Sequence, residues 1–220
     1  MSHPRPRILS LGTANPDTWY RQRDVIERYQ VEDPRIRSLF ASGHIEGRHL
    51  ILPPPTADGR PDETQGELLA KHLSGARDFG ARAIARCLDA AELEPRDVDY
   101  LACITTTGFL APGLSAHLVD QLGMRVDCAR LDVVGMGCNA GLNGLNPVAN
   151  WALANPGRNA VLACVEVCSA AYVFDQTLRT ARLTANGGMQ PMVIPFVLRL
   201  DRDFVIRRVW EEATGALAND

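Results

Sequence analysis

The chain has 220 residues, room for one large domain or two small ones, and 46% of them are hydrophobic, an ordinary share for a globular protein. Its 23 basic and 26 acidic residues leave a net charge of −3, which argues against a nucleic-acid partner or a polybasic membrane patch. Residues 1–6 are polar and no run of roughly 18 apolar residues occurs, so neither a cleaved signal nor a membrane span is expected.

In chain order, residues 7–13 are a short apolar run closing on Gly12 and predict a first strand. Asp17 is placed to cap a helix over 17–30, and Pro34 suits the first turn of another that ends near Gly43. The apolar run 49–52 is stopped by three prolines, and 53–61 reads as loop. The clearest helix spans 62–93: Leu68, His72, Ala76, Phe79, Ala83, Ile84, Cys87 and Leu88 recur at helical spacing as a core-facing stripe, which Gly75 and Gly80 weaken locally. Arg77, Arg82 and Arg86 read as its solvated face.

The near-continuous apolar run 98–106 suits a strand covered on both faces. A turn at 108–113 leads to a helix over 114–122, stopped by Gly123, then a strand over 129–134 and a helix over 139–155. Pro156 and Gly157 end that helix, and 159–167 is another buried strand. Alternating strands and helices of this length predict an α/β layered fold. Beyond Ala181 the texture changes: 192–199 and 204–209 predict two strands, and 211–220 is a tail.

Six cysteines occur, at 87, 103, 128, 138, 164 and 168, with no CxxC pair. A zinc ribbon, a redox motif and a disulfide scaffold are all disfavoured, and reduced thiols in the cytoplasm are expected, with no metal site. Cys87, Cys103, Cys128 and Cys164 read as small buried hydrophobes. Cys138 differs. An apolar strand, 131–134, runs into Gly135-Met136-Gly137-Cys138-Asn139-Ala140-Gly141, and a helix runs out of it. A thiol at such a junction meets the unpaired N–H groups and dipole of a helix N-terminus, which favour the nucleophilic thiolate. Pro147 inside that helix predicts a kink around 143–146, at a cost of about 3 kcal/mol if uncompensated.

Three groups of residues carry a resemblance: Thr105-Thr106-Thr107-Gly108 with Pro112-Gly113, the Gly137-Cys138 turn with Ala140-Gly141, and Glu166-Val167-Cys168-Ser169. In residues and spacing they resemble the type III polyketide synthases, the chalcone-synthase-like branch of the thiolase superfamily. Leu11-Gly12-Thr13-Ala14 and Ile45-Glu46-Gly47-Arg48 match the same family more loosely, and the resemblance covers residues 7–181. Asn139 with Gly141-Leu142-Asn143, and Ser169-Ala170-Ala171-Tyr172, lean towards a bacterial subgroup that condenses malonyl-CoA units for antibiotic building blocks.

The resemblance implies a thiolase-like fold and decarboxylative Claisen chemistry through a cysteine thioester, with coenzyme A thioesters as substrates and no separate cofactor. It makes Cys138 the nucleophile, puts Thr106 and Glu166 in the acyl pocket, and sets Arg48 against coenzyme A phosphates. Cys168 either faces that pocket or packs in the core, and Thr106 could equally be a strand-end hydroxyl serving a backbone group. A lone acid in an apolar strand, as Glu166 is, needs partners, which favours a pocket role. His117 reads as a surface or satisfied core residue. A homodimer is also implied, softened by Ala111 at a turn where plant members carry a methionine that crosses the dimer interface.

The pattern breaks downstream. The family's catalytic His and Asn follow the cysteine, whereas His3, His44, His49, His72 and His117 all precede Cys138. The family's Gly-Asp-Gly turn is absent, and 182–188 reads Arg-Leu-Thr-Ala-Asn-Gly-Gly. The expectation is therefore the N-terminal half of a duplicated α/β/α unit over 1–181 and a family-unlike segment over 182–220. Such a chain is either an acyltransferase impaired by the missing His and Asn, or a non-catalytic half serving as a dimerisation or scaffold partner.

Overall fold

The computed structural model describes residues 5–42, 45–54, 57, 63–171 and 192–201. Its strands are β1 (Arg5–Leu11), β2 (Trp19–Arg21), β3 (Gly47–His49), β4 (Val98–Thr105), β5 (Ala129–Val134), β6 (Asn159–Glu166) and β7 (Met192–Asp201). Its α-helices are α1 (Gln22–Arg28), α2 (Pro34–Ser42), α3 (Gln65–Ala90), α4 (Leu114–Leu122) and α5 (Ala140–Ala154). Five strands make one sheet in the order β1-β7-β6-β4-β5. β4 is parallel to β5 and β6, and β7 is antiparallel to both its neighbours.

The two-faced apolar run of β4 explains the layering. Leu101 and Cys103 point to one side, where they pack with Phe79, Ile84 and Leu88 of α3 and Leu118 of α4. Tyr100, Ala102 and Ile104 point to the other side and pack with Ala140 and Val148 of α5. The period of two along a strand thus divides the core into two halves, one under each helical layer. α5 comes very close: a Cβ on Gly144 would lie 2.1 Å from Ile104 Cδ1, so only glycine fits there. Tyr100 and Trp151 stack over the same half of the core, with ring centroids 4.9 Å apart.

α3 runs unbroken through Gly75 and Gly80, both buried. A Cβ on Gly80 would press on the Leu118 methyls at 3.2 Å, so this glycine buys close approach of α4 rather than flexibility. The helix begins later than the pattern suggests because Thr64 caps it: its hydroxyl accepts from Glu67 N–H while its own N–H donates to the Glu67 carboxylate at 2.7 Å.

The expected 17–30 helix is corrected. Trp19–Arg21 pair with Gly47–His49 as a two-stranded ladder, which takes those backbone groups, so the helix starts at Gln22. Asp24 accepts from Arg21 N–H at 2.8 Å, and Asp17 instead binds Arg82 at 3.0 Å.

The strand expected at 192–199 is β7, and it lies between β1 and β6, so the described part of 182–220 joins the main sheet. The expected strand at 204–209 lies outside the described residues.

One cap comes from another strand. Gly113 precedes α4 and has no side chain to cap it; Asp132 of β5 does so, accepting from Ser115 N–H at 2.9 Å and from the Ser115 hydroxyl. Asp132→Ala is expected to lower unfolding stability by about 1–2 kcal/mol in urea titrations. An unchanged midpoint would show that the cap contributes nothing.

Candidate active site

β5 ends at Val134, and the chain turns through Gly135 (φ 77°) and Gly137 (φ 74°) before a 3-10 turn, Gly137–Asn139, leads into α5. Both glycines take left-handed φ, which side chains resist, so the two of them build the bend. Gly135 N–H donates to Thr105 C=O at 3.3 Å, tying the bend to the end of β4. Cys138 stands in that 3-10 turn, exposed, two residues before the first residue of α5. Asn139 makes no side-chain cap to α5, so the first N–H groups of the helix keep no side-chain acceptor from it. Pro147 sits inside α5, which continues as one helix to Ala154.

The other thiols are withdrawn from chemistry. Cys87, Cys103 and Cys128 are buried, as expected for core residues. Burial pushes Cys103 and Cys128 upward. Cys164 is half-buried and pushed up to about 11, by burial first and then by the Glu166 charge. Cys168, in a 3-10 turn (Cys168–Ala171), is buried and pushed up to about 12, again by burial first, then by Glu166 and Cys138. Cys168 is thus close enough to feel both the carboxylate and the Cys138 thiol.

Parallel register joins Thr106 to Glu166. Ile104 of β4 pairs with Cys164 of β6, so two residues on, Thr106 stands level with Glu166. Thr106 N–H donates to both carboxylate oxygens at 3.0 Å, and its hydroxyl donates to Oε1 at 2.8 Å. The acid in an apolar strand therefore has its partners, and the Thr106 hydroxyl serves a carboxylate rather than a backbone group. Next to this pair, Thr107 Oγ1 accepts from Val167 N–H at 2.9 Å and lies 3.3 Å from His72 Nδ1.

The structure brings Cys138, Thr106, Glu166 and Cys168 to the carboxyl ends of β4, β5 and β6. It does not bring Arg48 there. Arg48 is 1% exposed, in the cluster under α1 and α2, and its guanidinium donates to Gln22 Oε1 at 2.8 Å. A phosphate would reach it only by displacing that packing. His117 lies on α4, in the layer across the sheet from α5.

His72 is the neighbour that the sequence hid. It is 1% exposed on α3, and its place in the core stripe was the only signal. Burial lowers its pKa, so the native ring is held neutral. The unfolded chain then binds the extra proton first, and the wild-type protein is expected to lose stability as pH falls below about 6.5. Urea midpoints compared between wild type and His72→Leu from pH 7.5 to 5 check this: the stability of the wild type should fall relative to the variant as acid is added, and a constant difference would refute it.

Among the described residues no cluster of His, Cys, Asp and Glu could hold a metal ion, and no helix is long and apolar enough to cross a membrane.

Comparison with known proteins fits this geometry. Residues 41–183 match the family model described as FAE1/Type III polyketide synthase-like protein. The chain is 50% identical over 179 residues to a Streptomyces toyocaensis protein named 3,5-dihydroxyphenylacetyl-CoA synthase, covering 81% of this chain and 46% of that one. It is 49% identical over 176 residues to an Amycolatopsis balhimycina protein of the same name, covering 80% and 47%. The solved structure of the 1,3,6,8-tetrahydroxynaphthalene synthase of Streptomyces coelicolor superposes with a TM-score of 0.76 at 22% identity, over 88% of this chain and 56% of that one. The chain thus spans about half the length of the curated relatives it matches.

Proposed function

The chain belongs to the FAE1/type III polyketide synthase-like family, and from that premise we propose that it is the nucleophile-bearing half of an acyltransferase that condenses malonyl-CoA units. Cys138 accepts the acyl group from coenzyme A as a thioester, Thr106 and Glu166 form one wall of the acyl pocket, and Cys168 lines it beside them. The reaction belongs to the cytoplasm, and the named relatives suggest 3,5-dihydroxyphenylacetyl-CoA as the product of the complete machinery.

The observation that carries this reading is the exposed Cys138 thiol on a two-glycine bend, tied through Gly135 to the strand end that holds the Thr106–Glu166 pair. A nucleophile needs exposure and a fixed position, and this turn supplies both. Condensation needs more. Loss of carbon dioxide from malonyl-CoA builds an enolate, and the family stabilises it with a His and an Asn downstream of the cysteine, whereas no histidine follows Cys138 here. The chain alone is therefore proposed to load but not to condense.

α5 supports the idea of a missing complement. Ala140, Gly144, Val148 and Ala152 face the sheet, while Leu142 (76% exposed) and Leu153 (43%) stand on the other side, and the helix carries no charged residue. A surface helix is ordinarily polar on its outer face. A second α/β unit would cover this side and carry the absent His and Asn. β5 is one of the sheet's two edge strands among the described residues, which suits the family's homodimer.

The test is intact-mass spectrometry of the chain after incubation with malonyl-CoA and with acetyl-CoA. A single acyl adduct that maps to Cys138 is the expected result. No adduct at any coenzyme A thioester concentration up to millimolar would overturn the reading.

A further inference from the structure

The carboxyl ends of β4 and β6 are held by a second, buried network beside the Thr106–Glu166 pair. His72 of α3 is 1% exposed, and its ring lies against the backbone of Gly108, where a Cβ would come within 2.2 Å of Cδ2. Its Nδ1 is 3.3 Å from Thr107 Oγ1. That hydroxyl oxygen accepts from Val167 N–H at 2.9 Å and lies 3.5 Å from Thr105 Oγ1. Thr107 therefore joins three elements: the end of β4, the residue after β6, and α3. Thr106 and Glu166, each one residue away along the chain, form the adjoining pair.

The position of the ring proton follows from its surroundings. A neutral imidazole carries one N–H. Nε2 is fully buried and meets no partner among the described residues. A proton there would leave a donor unmet in the interior, whereas a proton on Nδ1 has the Thr107 oxygen. With His72 and Val167 both donating to Thr107 Oγ1, the Thr107 hydroxyl is left to donate to Thr105 Oγ1. The result is a directed chain, His72 to Thr107 to Thr105, running across the strand end.

We infer that His72 is a positioning residue for the acyl pocket: through Thr107 it locks the ends of β4 and β6 together, so that Glu166 is held on Thr106. The inference rests on the reading of Thr106 and Glu166 as the pocket wall. His72 touches neither the thiol nor the pair itself, and acts only through Thr107.

Two variants separate positioning from space filling. His72→Leu keeps most of the volume and removes the donor. His72→Asn places an amide N–H where Nδ1–H stood. Nitrogen NMR of the histidine-labelled wild-type chain should show a neutral ring protonated at Nδ1, and amide hydrogen exchange at Thr106 and Val167 should be slow. In His72→Leu, exchange at both amides should quicken by about tenfold, and His72→Asn should return it to within about threefold of wild type. The maximal rate of Cys138 acylation should follow the same order, with the half-saturating thioester concentration little changed. An Nε2-protonated ring, or equal exchange in wild type and His72→Leu, overturns the inference. Should the wild-type chain fail to acylate at all, the pocket reading falls, while the ring tautomer and the exchange rates still decide whether His72 locks the strand ends.

Discussion

Cys138→Ala is expected to abolish acyl-adduct formation from coenzyme A thioesters, and none of the five remaining cysteines should take over. The reason lies in the environments of the two nearest the site. At pH 7 a thiol pushed up to about 11, as Cys164 is, or to about 12, as Cys168 is, exists almost wholly as the unreactive protonated form. Set against the ordinary thiol value of 9.0, their thiolate fractions are lower by about 100-fold and about 1,000-fold. Thioester exchange requires the thiolate, so the acylation rate of the variant should fall by about 100-fold or more. The check is peptide mapping of the adduct over time. The pH dependence supplies the sign: residual labelling of Cys164 in the variant by iodoacetamide should rise about tenfold per pH unit up to about 11. An adduct that forms on Cys168 at the wild-type rate at pH 7 would mean that the burial of that thiol does not govern its reactivity.

The second large effect concerns condensation. Decarboxylation of malonyl-CoA by the 220-residue chain alone is expected to be roughly 10⁴-fold slower than in a full-length relative. Under the proposed function two oxyanion donors come from outside this chain, each worth on the order of 3 kcal/mol of transition-state stabilisation. Loading at Cys138 should persist, because it needs the thiolate and the pocket wall rather than those donors. Adding a separately expressed second half of a relative should raise decarboxylation, by covering the uncharged face of α5 and supplying the His and Asn. Release of labelled carbon dioxide measures this directly. Turnover by the chain alone within about tenfold of a full-length relative would show that the downstream His and Asn are dispensable. Loss of the complementation on Leu142→Glu, with loading retained, would assign the docking to α5.

Much of the scaffold was legible because its signals are local. The helix at Leu114–Leu122 and the strand at Ala129–Val134 stand where the pattern puts them, since Gly123 ends the one and an apolar run defines the other. β4 and β6 read as doubly buried strands, and they are the centre of the sheet. The Cys138 junction was legible for the same reason: two glycines, a strand before and a helix after lie within a dozen residues. The start of α1 was not, because the ladder that displaces it pairs Trp19–Arg21 with residues almost thirty positions away. Nor was the place of β7, whose neighbours β1 and β6 are remote in sequence. Arg48 shows the same limit from the other side. An arginine in a loosely matching motif reads as an anion contact, but its burial against Gln22 depends on how α1 packs, and no local pattern reports that.

The sequence by itself determined the alternation of strands and helices, the α/β class, the singular position of Cys138 among six cysteines, and the family to which the chain belongs. It also showed that no histidine follows Cys138. Only the tertiary structure decided the partners. The register of β4 against β6 brings Thr106 onto Glu166 across sixty residues of chain. The packing of α3 under that strand end turns a stripe histidine into a neighbour of Thr107, next to that pair. The physical reason is that periodicity and turn chemistry act between residues close along the chain, whereas a hydrogen bond between strand ends is set by which strands pair and in what register, and that is a property of the whole sheet.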